Sequence, residues 1–239
     1  MALVRSLPGN VAQGLIWGIM ALGVYITFRI LDFADLTVDG SLATGGAVAV
    51  MLIQGGMHPA LSLIFAFLAG MAAGFVTGFL HTALGIPGIL ASILTQISLY
   101  SVNLGIMGKA NQSMGIGQKG LVASARYVTA DNSYIFFIGL ILGCLVLVAV
   151  VYWLFGTELG ASIRATGCNP QMASAQGINT NFCKVIALMI SNGLVGLCGG
   201  VYAQYQGAAD VNAGRGAIAI GLAAVYRKRR YRKWRAFPL

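Results

Sequence analysis

Three carboxylates stand together in an otherwise apolar region: Asp32, Asp35 and Asp39, in LDFADLTVDGSLATGG. A carboxylate beside hydrocarbon is costly unless it meets water, a partner or a polar cavity. Gly40, Gly45 and Gly46 follow at once. Acids at a glycine-rich start suggest a broken second helix whose N-terminus faces a polar passage. Asp39 and Ser41 are expected to cap the half that follows. Asp35, Thr37, Asp39 and Ser41 are therefore candidate passage residues. The same pattern also fits acids that merely end a helix at the membrane surface.

A second polar set is Thr95, Gln96, Ser98, Tyr100, Ser101 and Asn103. Thr95, Ser98 and Ser101 share a helix face at i, i+3 spacing. Thr95, Gln96, Tyr100 and Asn103 are the candidates for lining a passage. Hydrogen bonding between helices is the alternative role.

Catalytic chemistry is not indicated. Gly115 to Gly120 matches GxGxxG, but it follows no strand and opens no helix of a βαβ unit. The sequence holds no GxxxxGK[ST], no HExxH, no Ser/His/Asp set and no metal cluster. His58 and His81 are isolated at the ends of apolar stretches. Cys144, Cys168, Cys183 and Cys198 form no CxxC pair and read as free thiols. The chain is expected to be no enzyme and to hold no metal or cofactor.

The elements that position these residues follow from composition. The chain has 239 residues, 58% apolar and only 9% charged. Soluble domains carry about 25% charged residues, so this chain cannot cover a water-facing surface. A spanning helix needs about 20 apolar residues. Uncharged stretches near that length are Val11–Phe28, Gly40–Met57, Ala60–Leu80, Thr82–Gly108, Tyr134–Phe155 and Val185–Tyr205. A seventh runs from Ala217 only to Val225, about 14 Å of helix and too short to cross. No cleavage site marks a removable signal peptide. The expected fold is all-α: a polytopic transmembrane helix bundle with six complete hydrophobic elements, a broken second element and a truncated seventh. Small residues let membrane helices approach closely. Gly70/Gly74/Gly78, Gly14/Gly18, Gly139/Gly143 and Gly196/Gly200 are spaced for such contacts.

Between the last two complete spans lies a polar interruption, Thr157 to Asn179. Thr157 suits an N-cap, with Glu158 in the first turn. Gly167 is expected to break that helix. Asn169 and Pro170 make a fresh start as N-cap and N1, and Gly177 suits a closing residue with positive φ. Two short exposed helices result. Ala161, Ala165 and Gly167 keep the surface low, and Arg164 offers one fixed charge. A docking surface for another protein is one reading; an inert connection is the other. If this loop is cytoplasmic, Arg29, Arg164 and Lys184 lie inside with it. Lys109, Lys119 and Arg126 then fall outside, so the positive-inside rule is met only in part.

The chain resembles the permease subunits of bacterial ABC importers of the branched-chain amino acid and ribose transport type. One stretch that carries the resemblance is LDFADLTVDGSLATGGAVAV, residues 31–50. The other is the pattern G-x-x-x-R-A-x-G-x-N-P-x-x-A-x-x-x-G-I, here Gly160, Arg164, Ala165, Gly167, Asn169, Pro170, Ala173, Gly177 and Ile178. Residues 89–108 look like the subgroup for aromatic or related amino acids. The resemblance implies a multi-pass protein of the bacterial cytoplasmic membrane that passes a small polar solute, an amino acid by preference. It implies that 157–179 is the coupling loop, docked on a separate ATP-binding subunit that hydrolyses the ATP. It further implies a second permease copy as a homodimer and an extracytoplasmic solute-binding protein. Lipid is the remaining partner; nucleic acid is not.

The resemblance covers about residues 10–225. On this basis residues 1–225 form a permease domain, incomplete at its C-terminus. Residues 226–239 form a polybasic tail, expected to be aberrant. Seven of the fifteen basic residues fall in Arg227–Arg235. Truncation is the favoured explanation; a tail for anionic lipid is the second, and a nucleic-acid tail a remote third. Besides the importer reading, a self-contained secondary transporter or channel and a non-transporting truncated membrane product stay open.

Overall fold

A computed structural model describes residues 2–114 and 133–226. The GxGxxG stretch, Lys119, Arg126 and the basic run 227–235 lie outside the described residues. Helix α1, Ala2–Tyr25, passes into a π-helical turn at Ile26–Ile30. Residues 31–36 then run without helix, and Asp32 takes a left-handed φ of 54°. Aspartate tolerates that region better than most side chains. Helix α2 follows at Thr37–Gln54 and α3 at Pro59–Thr82. Helix α4 is Gly88–Met107, α5 is Ser133–Gly156, and two short helices come next: α6 at Glu158–Cys168 and α7 at Pro170–Ala175. Helix α8 spans Thr180–Gln206 and α9 spans Ala217–Tyr226.

Six helical segments are long and apolar enough to cross a membrane: Gly9–Ile30, Thr37–Gln54, Pro59–Thr82, Gly88–Met107, Gly139–Gly156 and Thr180–Gln206. The chain is a multi-pass membrane protein. The fourth span starts later than its apolar run suggests, because residues 83–87 leave the helix before Pro87 and Gly88 restart it. The break in the second element falls at residues 31–36, and from Thr37 the helix is continuous. A three-residue ribbon adds to the helices: β1, Asn111–Ser113, pairs antiparallel with β2, Ala208–Asp210. It sits at the C-terminal end of α2, where Gln54 Nε2 donates to the Ser113 carbonyl at 2.7 Å.

Helices α2 and α8 form the centre and are buried on most sides, while α5 lies at the periphery. Glycines permit this packing. A Cβ on Gly45 would fall on the Gly196 carbonyl, and one on Gly199 on the Leu42 carbonyl. Gly70 and Gly74 press in the same way on the Asn192 and Leu188 carbonyls, and Gly78 on Val185. The glycine repeats of α3 and α8 therefore meet one another's backbones. Gly14, Gly18, Gly139 and Gly143 do not: no described atom beyond their own helical surroundings comes within 4 Å of a Cβ built there. Among the described residues, then, these four glycines do not make the close backbone contacts that Gly70, Gly74 and Gly199 make. The cysteines are free thiols; Cys183 and Cys198 are buried as small apolar fillers.

Candidate passage and coupling site

The polar interruption folds as its punctuation requires. Thr157 Oγ1 accepts from the Gly160 N–H at 3.4 Å and caps α6. Asn169 Oδ1 accepts from the Gln171 and Met172 N–H groups, both at 3.1 Å, and caps α7 behind Pro170. Gly177 has φ of 84°. Asn179 then caps α8 through the Phe182 N–H at 3.1 Å.

One expectation is corrected. Gly167 does not break α6; the helix runs on to Cys168 and turns at Asn169, with φ −156° and ψ 99°. Gly167 serves close packing instead, because a Cβ there would strike the Ile30 carbonyl. Gly160 likewise leaves room for the backbone of Leu154 and Phe155. Ile163, Thr166 and Ala173 are buried. Residues 160, 163, 166 and 167 share one helix face, and that face is laid on the bundle. Arg164, Asn169, Pro170 and Gly177 are exposed, and Ala165 is half-buried. Met172, 60% exposed, adds an apolar knob to the outer face that the sequence reading missed.

The inner face of α6 meets the turn that follows α1. Ile163 packs in one cluster with Leu31, Phe33, Cys183, Ala187 and Leu188. Phe33 also lies edge-on to His81, with ring centroids 5.1 Å apart, and touches the backbone at Gly88. His81 Nδ1 is 2.9 Å from the Ile86 carbonyl, so this histidine holds the α3–α4 connection.

Two residues beyond Phe33, Asp35 is fully buried. Its Oδ1 accepts from the Thr37 N–H at 2.9 Å, and its Oδ2 accepts from Asn192 Nδ2 at 2.7 Å. Ser41 donates to Asn192 Oδ1 at 2.6 Å, and Thr37 and Thr77 share a hydrogen bond of 2.8 Å. Burial pushes the Asp35 carboxyl above the ordinary carboxylate range, while the Thr37 and Asn192 hydrogen bonds pull the other way. This network ties α2, α3 and α8 together. Asn192 lies outside the polar sets that the sequence pattern singles out, although an amide in the middle of an apolar span is itself a signal.

The capping expectation is also corrected. Neither Asp39 nor Ser41 caps α2, whose N-cap Leu36 makes no side-chain bond. Asp39 caps a different helix. Its Oδ2 accepts from the Gly216 N–H at 3.1 Å and its Oδ1 from the Ile218 N–H at 2.9 Å, at the start of α9. A Cβ on Gly214 would collide with the Asp39 carbonyl, so the strand of chain before α9 lies hard against α2.

A cleft of about 330 Å³ opens beside this cap. Asp39 and Ala43 line it from α2, Gln96, Tyr100 and Asn103 from α4, and Arg215 from the segment before α9. The Arg215 guanidinium lies 5.9 Å from the Tyr100 ring centroid, within reach of a cation–π contact. Asn103 is fully buried, and neither amide atom meets a hydrogen-bond partner among the described residues. Leaving such a group unpaired costs about 1–3 kcal/mol. Thr95 lies elsewhere on α4, buried, with its hydroxyl donating to the Ala91 carbonyl at 3.0 Å. Ser98 donates to the Leu94 carbonyl at 2.9 Å. The structure thus groups Asp39, Gln96, Tyr100 and Asn103 at one cleft, and Asp35, Thr37 and Ser41 in the buried network. Among the described residues no metal-holding cluster of His, Cys, Asp or Glu occurs.

Comparison with known proteins bears on this architecture. The family described as "Branched-chain amino acid transport system / permease component" matches residues 9–226. A tyrosine transport system permease protein of Clostridioides difficile (strain R20291) is 39% identical over 214 residues, 89% of this chain and 69% of that protein. An uncharacterized protein of Rickettsia prowazekii (strain Madrid E) is 37% identical over 213 residues, 89% of this chain and 73% of its own. An autoinducer 2 import system permease protein of Yersinia pseudotuberculosis (serotype O:1b, strain IP 31758) is 33% identical over 186 residues, 76% of this chain and 50% of its own. No solved structure matches the chain.

Proposed function

Because this chain belongs to the branched-chain amino acid transport permease family, we propose that it is the passage subunit of an ATP-driven importer for a small polar solute. An amino acid is the preferred solute, and tyrosine the first to test, since a relative at 39% identity is named for tyrosine transport. The observation that carries the reading is the seating of the 157–179 loop. Its inner face is packed on the turn at residues 30–33, and its outer face presents Arg164 and Met172 to solvent. That is the form of a handle: fixed to the bundle on one side and free for a partner on the other.

In this reading Gly160, Gly167 and Ala173 anchor the handle. Arg164, with Asn169, Pro170 and Gly177 shaping the surface, meets a separate ATP-binding subunit, and Ala165 keeps that surface low. Closure of the ATPase pushes α6 and α7. The push reaches Leu31 and Phe33 through Ile163, then α2 and α8 through the Asp35–Asn192–Ser41 network. Switching between two packings of the bundle exposes the passage to one side and then the other. A second permease copy and an extracytoplasmic solute-binding protein complete the assembly. ATP-dependent accumulation of L-tyrosine in proteoliposomes, with permease, ATPase and binding protein together, tests the proposal. Uptake driven by an ion gradient without ATP would replace it with a secondary carrier.

A further inference from the structure

A cleft of about 440 Å³ lies where α5 turns into α6. Tyr152, Trp153, Phe155 and Gly156 line it from the end of α5, Thr157 from the turn, and Arg164 from α6. Phe155 packs on the cluster of Leu31 and Ile163, so that wall is fixed to the bundle. The Thr157 hydroxyl is already engaged: it donates to the Leu154 carbonyl at 2.6 Å and accepts from the Gly160 N–H at 3.4 Å. The Arg164 guanidinium is not. Among the described residues no ion pair, hydrogen bond or ring contact engages it. No acidic side chain joins the lining, although Glu158 follows Thr157 directly. Among the described residues the cleft therefore offers one cation beside aromatic rings and no anion to balance it.

Its place in the fold narrows the class of ligand. The cleft stands at the end of the span Gly139–Gly156, which has no buried residue among those described. Tyr152 is 83% exposed and Trp153 72%. Exposed Trp and Tyr at the end of a spanning helix mark the headgroup level of a bilayer. Leu142, Leu145 and Val146 are exposed and continue the same helix face into the span. An acyl chain can lie along this face while its headgroup fills the cleft. A volume of about 440 Å³ is ample for a headgroup, since small-molecule sites run from about 300 to 1,000 Å³. A guanidinium pairs with phosphate through two parallel N–H···O bonds. We propose that this cleft holds the headgroup of an anionic phospholipid, with Arg164 on the phosphodiester and the Tyr152 and Trp153 rings beside the glycerol. A single cation matches a headgroup of one net negative charge, such as that of phosphatidylglycerol. The choline headgroup brings its own cation toward Arg164 and fits less well. A guanidinium has five N–H donors, so an edge remains for a protein partner. The inference does not rest on the coupling role of Arg164.

The test is native mass spectrometry of the full chain without the ATPase, titrated in detergent with phosphatidylglycerol and with phosphatidylcholine of identical acyl chains. Wild-type protein is expected to retain phosphatidylglycerol in preference to phosphatidylcholine. Arg164→Gln is expected to weaken phosphatidylglycerol retention about fivefold, the worth of one basic residue at an anionic surface, and to leave phosphatidylcholine unchanged. Trp153→Ala, which keeps the cation, should weaken both lipids alike. Inorganic phosphate at millimolar concentration should displace neither. Equal retention of the two lipids by the wild type, or an unchanged preference in Arg164→Gln, overturns the assignment. Displacement of phosphatidylglycerol by inorganic phosphate also overturns it and gives the site to a free anion. ATPase retention is read separately on the same variants. Loss of the ATPase in Arg164→Gln with the lipid preference intact removes the lipid site and leaves the coupling handle. Loss of the lipid preference with the ATPase retained supports the lipid site and removes the coupling role of Arg164.

Discussion

Asp39 on α2 caps helix α9 across 179 residues of sequence: its Oδ1 accepts the Ile218 N–H at 2.9 Å. The cap fixes where α9 begins and holds the segment bearing Arg215 against α2. Removing an N-cap side chain costs about 0.5–2 kcal/mol. Asp39→Leu is therefore expected to lower thermal stability in detergent by about that amount. Asp39→Asn, which keeps an acceptor oxygen, should lose less. Equal losses in the two variants would show that the cap geometry contributes nothing.

The α2–α8 contact leaves no room for side chains at Gly45 and Gly199. Gly45→Ala and Gly199→Ala are expected to abolish monodisperse protein or to cost about 1–3 kcal/mol, as overpacking does. Gly18→Ala and Gly143→Ala meet open space. They should be neutral or gain up to about 1 kcal/mol from helix propensity. Size-exclusion profiles and unfolding midpoints of the four variants check the contrast.

Asp35 gives a pH dependence with a definite sign. Burial raises its folded pKa above the ordinary 3.8. Folding then favours the protonated acid, and the unfolded chain releases the proton first. Stability from this group is full below 3.8, falls as pH rises toward the folded value, and is flat above it. Asp35→Asn removes this slope, because an amide binds no proton in this range. The stability of Asp35→Asn relative to wild type is expected to rise with pH across that interval. A difference independent of pH would contradict the assignment. Asn192→Leu, which strips a partner from the buried carboxyl, should cost about 1–3 kcal/mol at neutral pH.

Local chemistry was legible in the sequence, and distant pairing was not. Thr157, Asn169, Pro170 and Gly177 act where their types put them, because caps and turns are decided within a few residues. The six spans followed from apolar length. In sequence Asp39 suits a cap for its own helix, because nothing nearby announces that its partners lie at Gly216 and Ile218. Gly167 suits a helix breaker by type, yet its role is contact with Ile30, a residue far away in the chain. Glycine spacing alone did not separate Gly70/Gly74 from Gly14/Gly18; only the facing helix does. Arg215 stood alone in NAGRG without a partner to interpret it, and Tyr100 became that partner only in three dimensions.

The two faces of α6 predict separable defects. Gly167→Val should unseat the helix from Ile30 and lower both stability and ATPase retention. Arg164→Ala should leave the unfolding free energy within about 0.5 kcal/mol of wild type, as exposed substitutions do, and weaken ATPase retention only. Measuring both properties on both variants tests this division. A stability loss in Arg164→Ala equal to that in Gly167→Val would erase it.

The most direct measurement is co-purification of the cognate ATPase with the full chain, wild type against Arg164→Glu, in detergent at low salt. The wild type is expected to retain the ATPase. The charge reversal is expected to release it while the permease stays folded, with an unchanged unfolding midpoint. Retention of the ATPase by a folded Arg164→Glu protein at the wild-type level would contradict the assignment of 157–179 as the coupling handle.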